Sequence, residues 1–474
     1  MEQIFDITQQ FSSQMLANRR YIKSIKEIMG TTFKLNIELS TEEETVFKLF
    51  NLLNDMYVDL RSNPTNFLDK LKSLDSDFSK TILESETEPK EIFDAILKHF
   101  SKTNDGKKGI NFSIDEESDT VVLVIEDRDM RSNIKLYQDE QLKRIEQARL
   151  LNETSLITIS NTFESLISNL ISILVIKDKT VKIQDKTLTF KQIEELGGLE
   201  EAKDYLIEKT VEDIMRGSQS HWLKYIGKNT AKSFFDELEG EEEEKFIDFF
   251  LKRNLIIHSN SKINKKYLTS CKKQYSEEQK QNLIGKRIAV NEEYLLENLK
   301  LIYVMGLKSS YYVAKKNFSK NIKAISESFQ ILAYENLEIE EYQVAYEIYN
   351  LLWKDKENLT ASAKMLLCIN YMQSLKWTGK TKELEKLLKE EDFSLADNLH
   401  RMCINILEDN FEAAVREFEE VLKSKNDDHI SEISMINHFI SWPIFKEFLK
   451  TPEYNAFMTE KGYTELKIVD EVVD

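Results

Sequence analysis

A mainly α-helical fold is predicted by three features of the sequence. The chain of 474 residues holds only 12 Gly and 4 Pro, so sharp turns are few. Apolar residues recur at helical spacing along most of its length. The pattern changes to strand period over one short stretch, residues 109–127. With 41% hydrophobic and 31% charged residues the chain is globular rather than disordered. Its length corresponds to about three domains of ~150 residues. The expected division is a mostly helical region over 1–150 with a small β-hairpin, suited to sensing or regulation, then a helical bundle over 151–300 and a helical repeat region over 301–474.

In the first region, Thr41 to Leu60 and Lys90 to Phe100 read as amphipathic helices. Between Gly109 and Asp127, Ile110, Phe112 and Ile114 and then Val121 to Ile125 flank the polar turn Asp115-Glu116-Glu117-Ser118, which predicts a hairpin. Helical spacing resumes at Asn133. The middle region opens with an apolar helix over Ile157 to Ile176 and a polar connection, Lys177 to Lys186. Gly197-Gly198 interrupts the helical pattern, and Leu199 to Arg216 restores it. An acidic run, Glu239 to Glu244, then precedes Phe246, Ile247, Phe249 and Phe250.

Charge and cysteine content narrow the function classes. With 65 basic against 83 acidic side chains the net charge is -18, so any nucleic-acid site must be local. Cys271, Cys368 and Cys403 are too scattered for a disulfide framework or a zinc site, which fits a reducing cytoplasm. The first ten residues lack the basic start of a secretory signal. The most apolar window, Leu166 to Ile176, is interrupted by Ser168, Asn169 and Ser172, and no membrane span is expected. Gly197-Gly198 lacks the Lys-Ser/Thr of a phosphate-binding loop, and no cofactor or metal is implied. The histidines at 99, 221, 400, 429 and 438 read as ordinary surface or core residues.

Residues 327–449 show internal similarity. Tyr342, Ala345 and Tyr349 are echoed 69 residues later by Phe411, Ala414 and Phe418, twice a period of about 34. Between the copies, Met365 to Leu375 reads as a first helix, Trp377 to Lys380 as a turn and Lys382 to Leu388 as a second helix. This resembles degenerate tetratricopeptide repeats, in which helix pairs stack because each buries one face. The resemblance implies a surface for a protein partner. The array is expected to serve recognition or restraint and to be separable at about Ser326.

Residues 251–268 carry the chemistry. Arg253-Asn254, then His258 after three residues, followed by Ile263-Asn264 and Tyr267-Leu268, resembles the motif of HEPN domains of the ribonuclease type. The similarity extends over about Thr154 to Lys286, and the departure is Ser259-Asn260-Ser261, where many relatives have Asn and Gly at the turn. The resemblance implies an all-α domain that dimerises through the middle region, metal-independent RNA cleavage at a cleft where two motifs meet, and a toxin or effector role in bacterial antiphage defence. Arg253, Asn254 and His258 are the implied catalytic residues, with Asn264 and Tyr267 supporting the motif.

The residues themselves are compatible with that chemistry. RNA cleavage through the 2′-hydroxyl needs an acid/base and a cation to stabilise charge on the phosphorane. Imidazole changes charge near neutral pH, and guanidinium presents a fixed donor fork to phosphate. Asn254 and His258 lie about 40° apart on a helix, so the amide is placed to orient the ring. Arg253 lies about 140° from His258, so either the helix deforms or a second chain completes the site. Glu164 is placed either to face the cleft and tune His258 or simply to be exposed on its helix. From Lys252 to Ile288 there are ten basic residues against two acidic ones. Lys252, Lys262, Lys265, Lys266, Lys272 and Lys273 are therefore expected to contact RNA. The competing reading is a catalytically inactive dimeric scaffold that binds a protein or RNA through the same regions. In it Arg253 pairs with a carboxylate and His258 sits at a helix C-terminus.

Overall fold

The computed structural model describes residues 1–31, 38–62, 66–67, 69–70, 89–115, 120–177, 187–235, 238, 241–271, 276–393, 396–425 and 429–463. It is mainly α-helical with one two-stranded antiparallel sheet. The elements are α1 (Glu2–Thr31), α2 (Thr41–Ser62), α3 (Pro89–Lys108), β1 (Ile110–Asp115), β2 (Thr120–Ile125), α4 (Arg128–Lys177), α5 (Phe190–Leu196), α6 (Leu199–Met215) and α7 (Gln219–Thr230). They continue with α8 (Glu242–Ser259), α9 (Lys265–Ser270), α10 (Glu277–Leu283), α11 (Glu292–Asn317), α12 (Ile322–Glu338), α13 (Tyr342–Trp353), α14 (Ala361–Trp377) and α15 (Thr381–Glu390). The last are α16 (Asn398–Leu407), α17 (Phe411–Lys425), α18 (His429–Ile440), α19 (Phe445–Phe448) and α20 (Pro452–Glu460). Contacts divide the chain into a smaller unit, Ser24–Leu151, and a larger one of Met1–Lys23 with Asn152–Asp474.

In the smaller unit the predicted hairpin forms, with Ile110 opposite Ile125, Phe112 opposite Leu123 and Ile114 opposite Val121. Period-2 alternation sends Ile110, Phe112, Val121 and Ile125 into a core shared with Leu53 and Met56 of α2 and Phe93 and Ile96 of α3. The Ser101 hydroxyl on α3 accepts from the Phe112 amide at 2.9 Å. Gly109 enters β1 with φ 59, and a Cβ there would meet the Glu126 side chain at 2.4 Å. Of the expected turn, Glu116 to Ser118 lie outside the described residues.

The larger unit has one continuous core. Leu156, Ile159, Phe163, Leu166 and Leu170 of α4 pack in it with Phe246, Phe249 and Phe250 of α8 and with most of α11. The Phe163 and Phe246 rings meet at 5.8 Å. Gly306 of α11 lies under the Phe11 ring, where a Cβ would approach to 2.4 Å, so this close packing needs glycine. The Arg19 side chain pairs with Glu341, and Ser12 hydrogen-bonds Tyr303. Residues 1–23 thus belong with this unit, and α11 runs unbroken through the expected boundary at 300. The core extends through the repeats to Tyr463. Ser326, the expected point of separation, is itself buried inside α12.

Residues 322–425 form three αα-hairpins, α12/α13, α14/α15 and α16/α17, with the same turn each time. Glu340, Gly379 and Asp409 take positive φ at 64, 74 and 58. The following amides, of Glu341, Lys380 and Asn410, donate to Asn336, Leu375 and Asn405 carbonyls. Ala345 and Ala414 are fully buried one turn into the second helices.

The apolar helix expected over Ile157 to Ile176 is part of a longer one. Residues 157–176 lie in α4, a single helix of 50 residues that continues unbroken through Ser168, Asn169 and Ser172. It contains an 18-residue window of mean hydropathy 1.5, long and apolar enough to cross a membrane, of which 56% is buried within the protein. Those apolar side chains supply the core of the larger unit.

Candidate functional site

The site begins with α8. Glu242, Glu243 and Glu244 occupy its first turn, where the helix dipole favours negative charge. Phe246, Phe249 and Phe250 anchor its buried face at spacings of three and four. The helix stops at Asn260, φ 49 and ψ 45, followed by buried Ser261 at φ 60. The turn therefore takes the left-handed geometry suited to Asn and Gly, although Ser stands at the second position, at a cost of order ~1 kcal/mol.

That turn brings two basic segments side by side. The Ile263 amide donates to Lys286 at 2.8 Å, Gly285 donates back to Ile263 at 2.9 Å, and Ile288 donates to Ser261 at 2.9 Å. Lys262 and Arg287 become antiparallel partners. Asn264 caps α9 by accepting from the Tyr267 amide at 2.9 Å, while its own amide donates to Ser259 at 3.2 Å. Lys262, Lys265, Lys266, Lys286 and Arg287 are all exposed just beyond the His258 end of α8. Lys272 and Lys273 lie outside the described residues.

Lys252 is placed differently from the other expected RNA contacts. Its ammonium pairs with Asp248 at 3.0 Å, the side chains being 13% and 8% exposed, and lies 3.8 Å over the Tyr294 ring. The Tyr267 hydroxyl donates to Asp248 at 2.6 Å and the Tyr294 hydroxyl at 2.9 Å. Lys252 and Tyr267 thus share one buried network joining α8, α9 and α11. The Asp248–Lys252 spacing of four and the acidic residue amid phenylalanines were its signals in the sequence.

Arg253 is also engaged. Its guanidinium lies 3.5 Å from the Glu164 carboxylate on α4 and donates to the Asn254 amide oxygen at 3.2 Å. Its Nε is buried without a hydrogen-bond partner among the described residues. Glu164 also accepts from the Ser160 hydroxyl at 3.3 Å, so its charged partner is Arg253 rather than His258. His258 is exposed and has no hydrogen bond or ion pair among the described residues, and the Asn254 oxygen turns to Arg253 instead of orienting the ring. α8 is an unbroken α-helix from Glu242 to Ser259. The two side chains therefore remain about 140° apart around its axis.

Burial raises the thiol of Cys271 to about 11 and those of Cys368 and Cys403 to about 12, which leaves them protonated at neutral pH. No group of three His, Cys, Asp or Glu among the described residues is placed to hold a metal ion. No family model, curated protein or solved structure matches this chain.

Proposed function

We propose that this chain is a metal-independent endoribonuclease of the HEPN type, acting in the cytoplasm as a toxin or effector of antiphage defence. The observation that carries the reading is the solvent-exposed His258 beside the exposed cations Lys262, Lys265, Lys266, Lys286 and Arg287. In a chain of net charge -18, that surface is where an RNA backbone would be drawn. His258 serves as acid/base for attack of the 2′-hydroxyl. Arg253 stabilises the phosphorane, and Asn254 holds its guanidinium in place.

Because α8 is an unbroken helix through both residues and separates them by about 140°, each Arg253 works with the His258 of a second copy, in a homodimer formed through the middle region. The three helix hairpins form a protein-contact surface. Their first helices line an apolar groove of about 680 Å³ that exposes Ile331 and Leu366.

One observation favours the inactive-scaffold alternative. Arg253 is tied to Glu164, and among the described residues His258 has nothing to hold its ring. Purified protein incubated with total RNA in EDTA, beside His258→Ala, separates the two. Cleavage by the parent and none by the variant supports the nuclease. Intact RNA with both supports the scaffold.

A further inference from the structure

At the end of α8 opposite His258 lies a cavity of about 490 Å³, walled by the first turn of α8, by α11, by α13 and by the turn before α15. Five lysines line it, Lys245, Lys300, Lys308, Lys354 and Lys380, against three carboxylates, Glu242, Glu297 and Glu347. A concave surface with excess positive charge, in a chain of net charge -18, requires a reason.

Internal ion pairs account for two of the lysines. Lys245 pairs with Glu297 at 2.5 Å, and Lys308 with Glu347 at 2.8 Å. Lys300 reaches Glu341 at 3.5 Å, a carboxylate already held by Arg19. Lys380 lies 4.5 Å over the Tyr346 ring and has no carboxylate partner among the described residues. Lys354 is exposed, and its ammonium has no partner among them. Asn298 also borders the cavity, at 2% exposure, and its Oδ1, shut off from solvent, has no hydrogen-bond partner among the described residues.

We propose that this cavity binds a small molecule bearing several phosphates, of the size and class of a nucleoside triphosphate. Its volume lies within the ~300–1,000 Å³ of small-molecule sites. Lysines spread around the walls suit a chain of phosphates better than a single anion, because each ammonium acts as a separate point charge. Gln343 and Asn350 on the walls offer the neutral hydrogen-bonding groups that an uncharged portion needs. The site is distinct from the RNA surface, and the proposal does not rest on the nuclease reading.

Calorimetric titration of the full chain with ATP, and separately with inorganic triphosphate, tests it without any RNA present. At least one of the two should bind, one molecule per chain and below millimolar. The double variant Lys354→Ala/Lys380→Ala should weaken that binding at least about tenfold. The pair Lys265→Ala/Lys266→Ala should leave it unchanged. Circular dichroism melts confirm that both variants fold. Absence of binding by both probes up to several millimolar overturns the proposal. So does binding that survives loss of Lys354 and Lys380, or that depends on Lys265 and Lys266.

Discussion

Asp248 shows how a single buried charge ties α8 to α9 and α11. It pairs with Lys252 and accepts hydrogen bonds from Tyr267 and Tyr294, so three elements converge on one carboxylate. Asp248→Asn keeps the shape but leaves the Lys252 ammonium largely buried without its counter-charge, which should cost roughly 3 kcal/mol, read from the urea midpoint. An unchanged midpoint would show that water already satisfies Lys252. The thiols allow a second test at this scale. Burial holds all three protonated, and the thiolate is the reactive form. Iodoacetamide at pH 8 should leave Cys271, Cys368 and Cys403 unlabelled in the folded protein and label all three in urea, as read by intact mass. The motif residues and the cap by Asn264 are local features, and local features are legible in sequence. The Glu164–Arg253 pair is not, because its partners lie on different helices and meet only through tertiary packing.

Among the elements, the helix hairpins explain why their repeat is faint in sequence. The three turn residues, Glu340, Gly379 and Asp409, are spaced 39 and 30 residues apart, so no single period links adjacent copies. The middle copy also has Leu384 and Leu388 where the outer two have Ala and an aromatic, which is why the echo appears only between the first and third. Ala345 and Ala414 share the same fully buried position against their partner helices. Ala414→Leu should overpack that contact by roughly 1–3 kcal/mol, and Ala345→Leu likewise, both measured by chemical denaturation. Loss at one position and not the other would show that the hairpins pack differently despite their common turns. The β-hairpin was legible for the opposite reason. Its alternation lies within residues 109–127, and among the described residues the two strands pair only with each other.

At the scale of the molecule, the continuous core of the larger unit and the unbroken α8 act together. Because the core runs from Ile4 to Tyr463 through the hairpins, a chain ended at Ser326 loses residues that pack in the same core as α11 and is expected not to fold, which a circular dichroism melt would show. Assembly must therefore be probed in the full chain. The unbroken α8 holds Arg253 and His258 about 140° apart, a poor arrangement for bringing both from a single copy to one phosphate. In the proposed homodimer a two-fold axis would make two equivalent clefts, each taking Arg253 from one chain and His258 from the other. Arg253→Ala and His258→Ala, each inactive alone, then complement each other. In a mixed dimer one cleft has lost both groups and the other retains both. After unfolding and refolding an equal mixture, half the dimers are mixed and each carries one intact cleft, so roughly a quarter of the parent cleavage should return. Light scattering on the same sample checks that it is dimeric. A dimeric mixture with no recovered activity would place Arg253 and His258 of each working site in the same chain, and the helix would then have to bend on binding RNA.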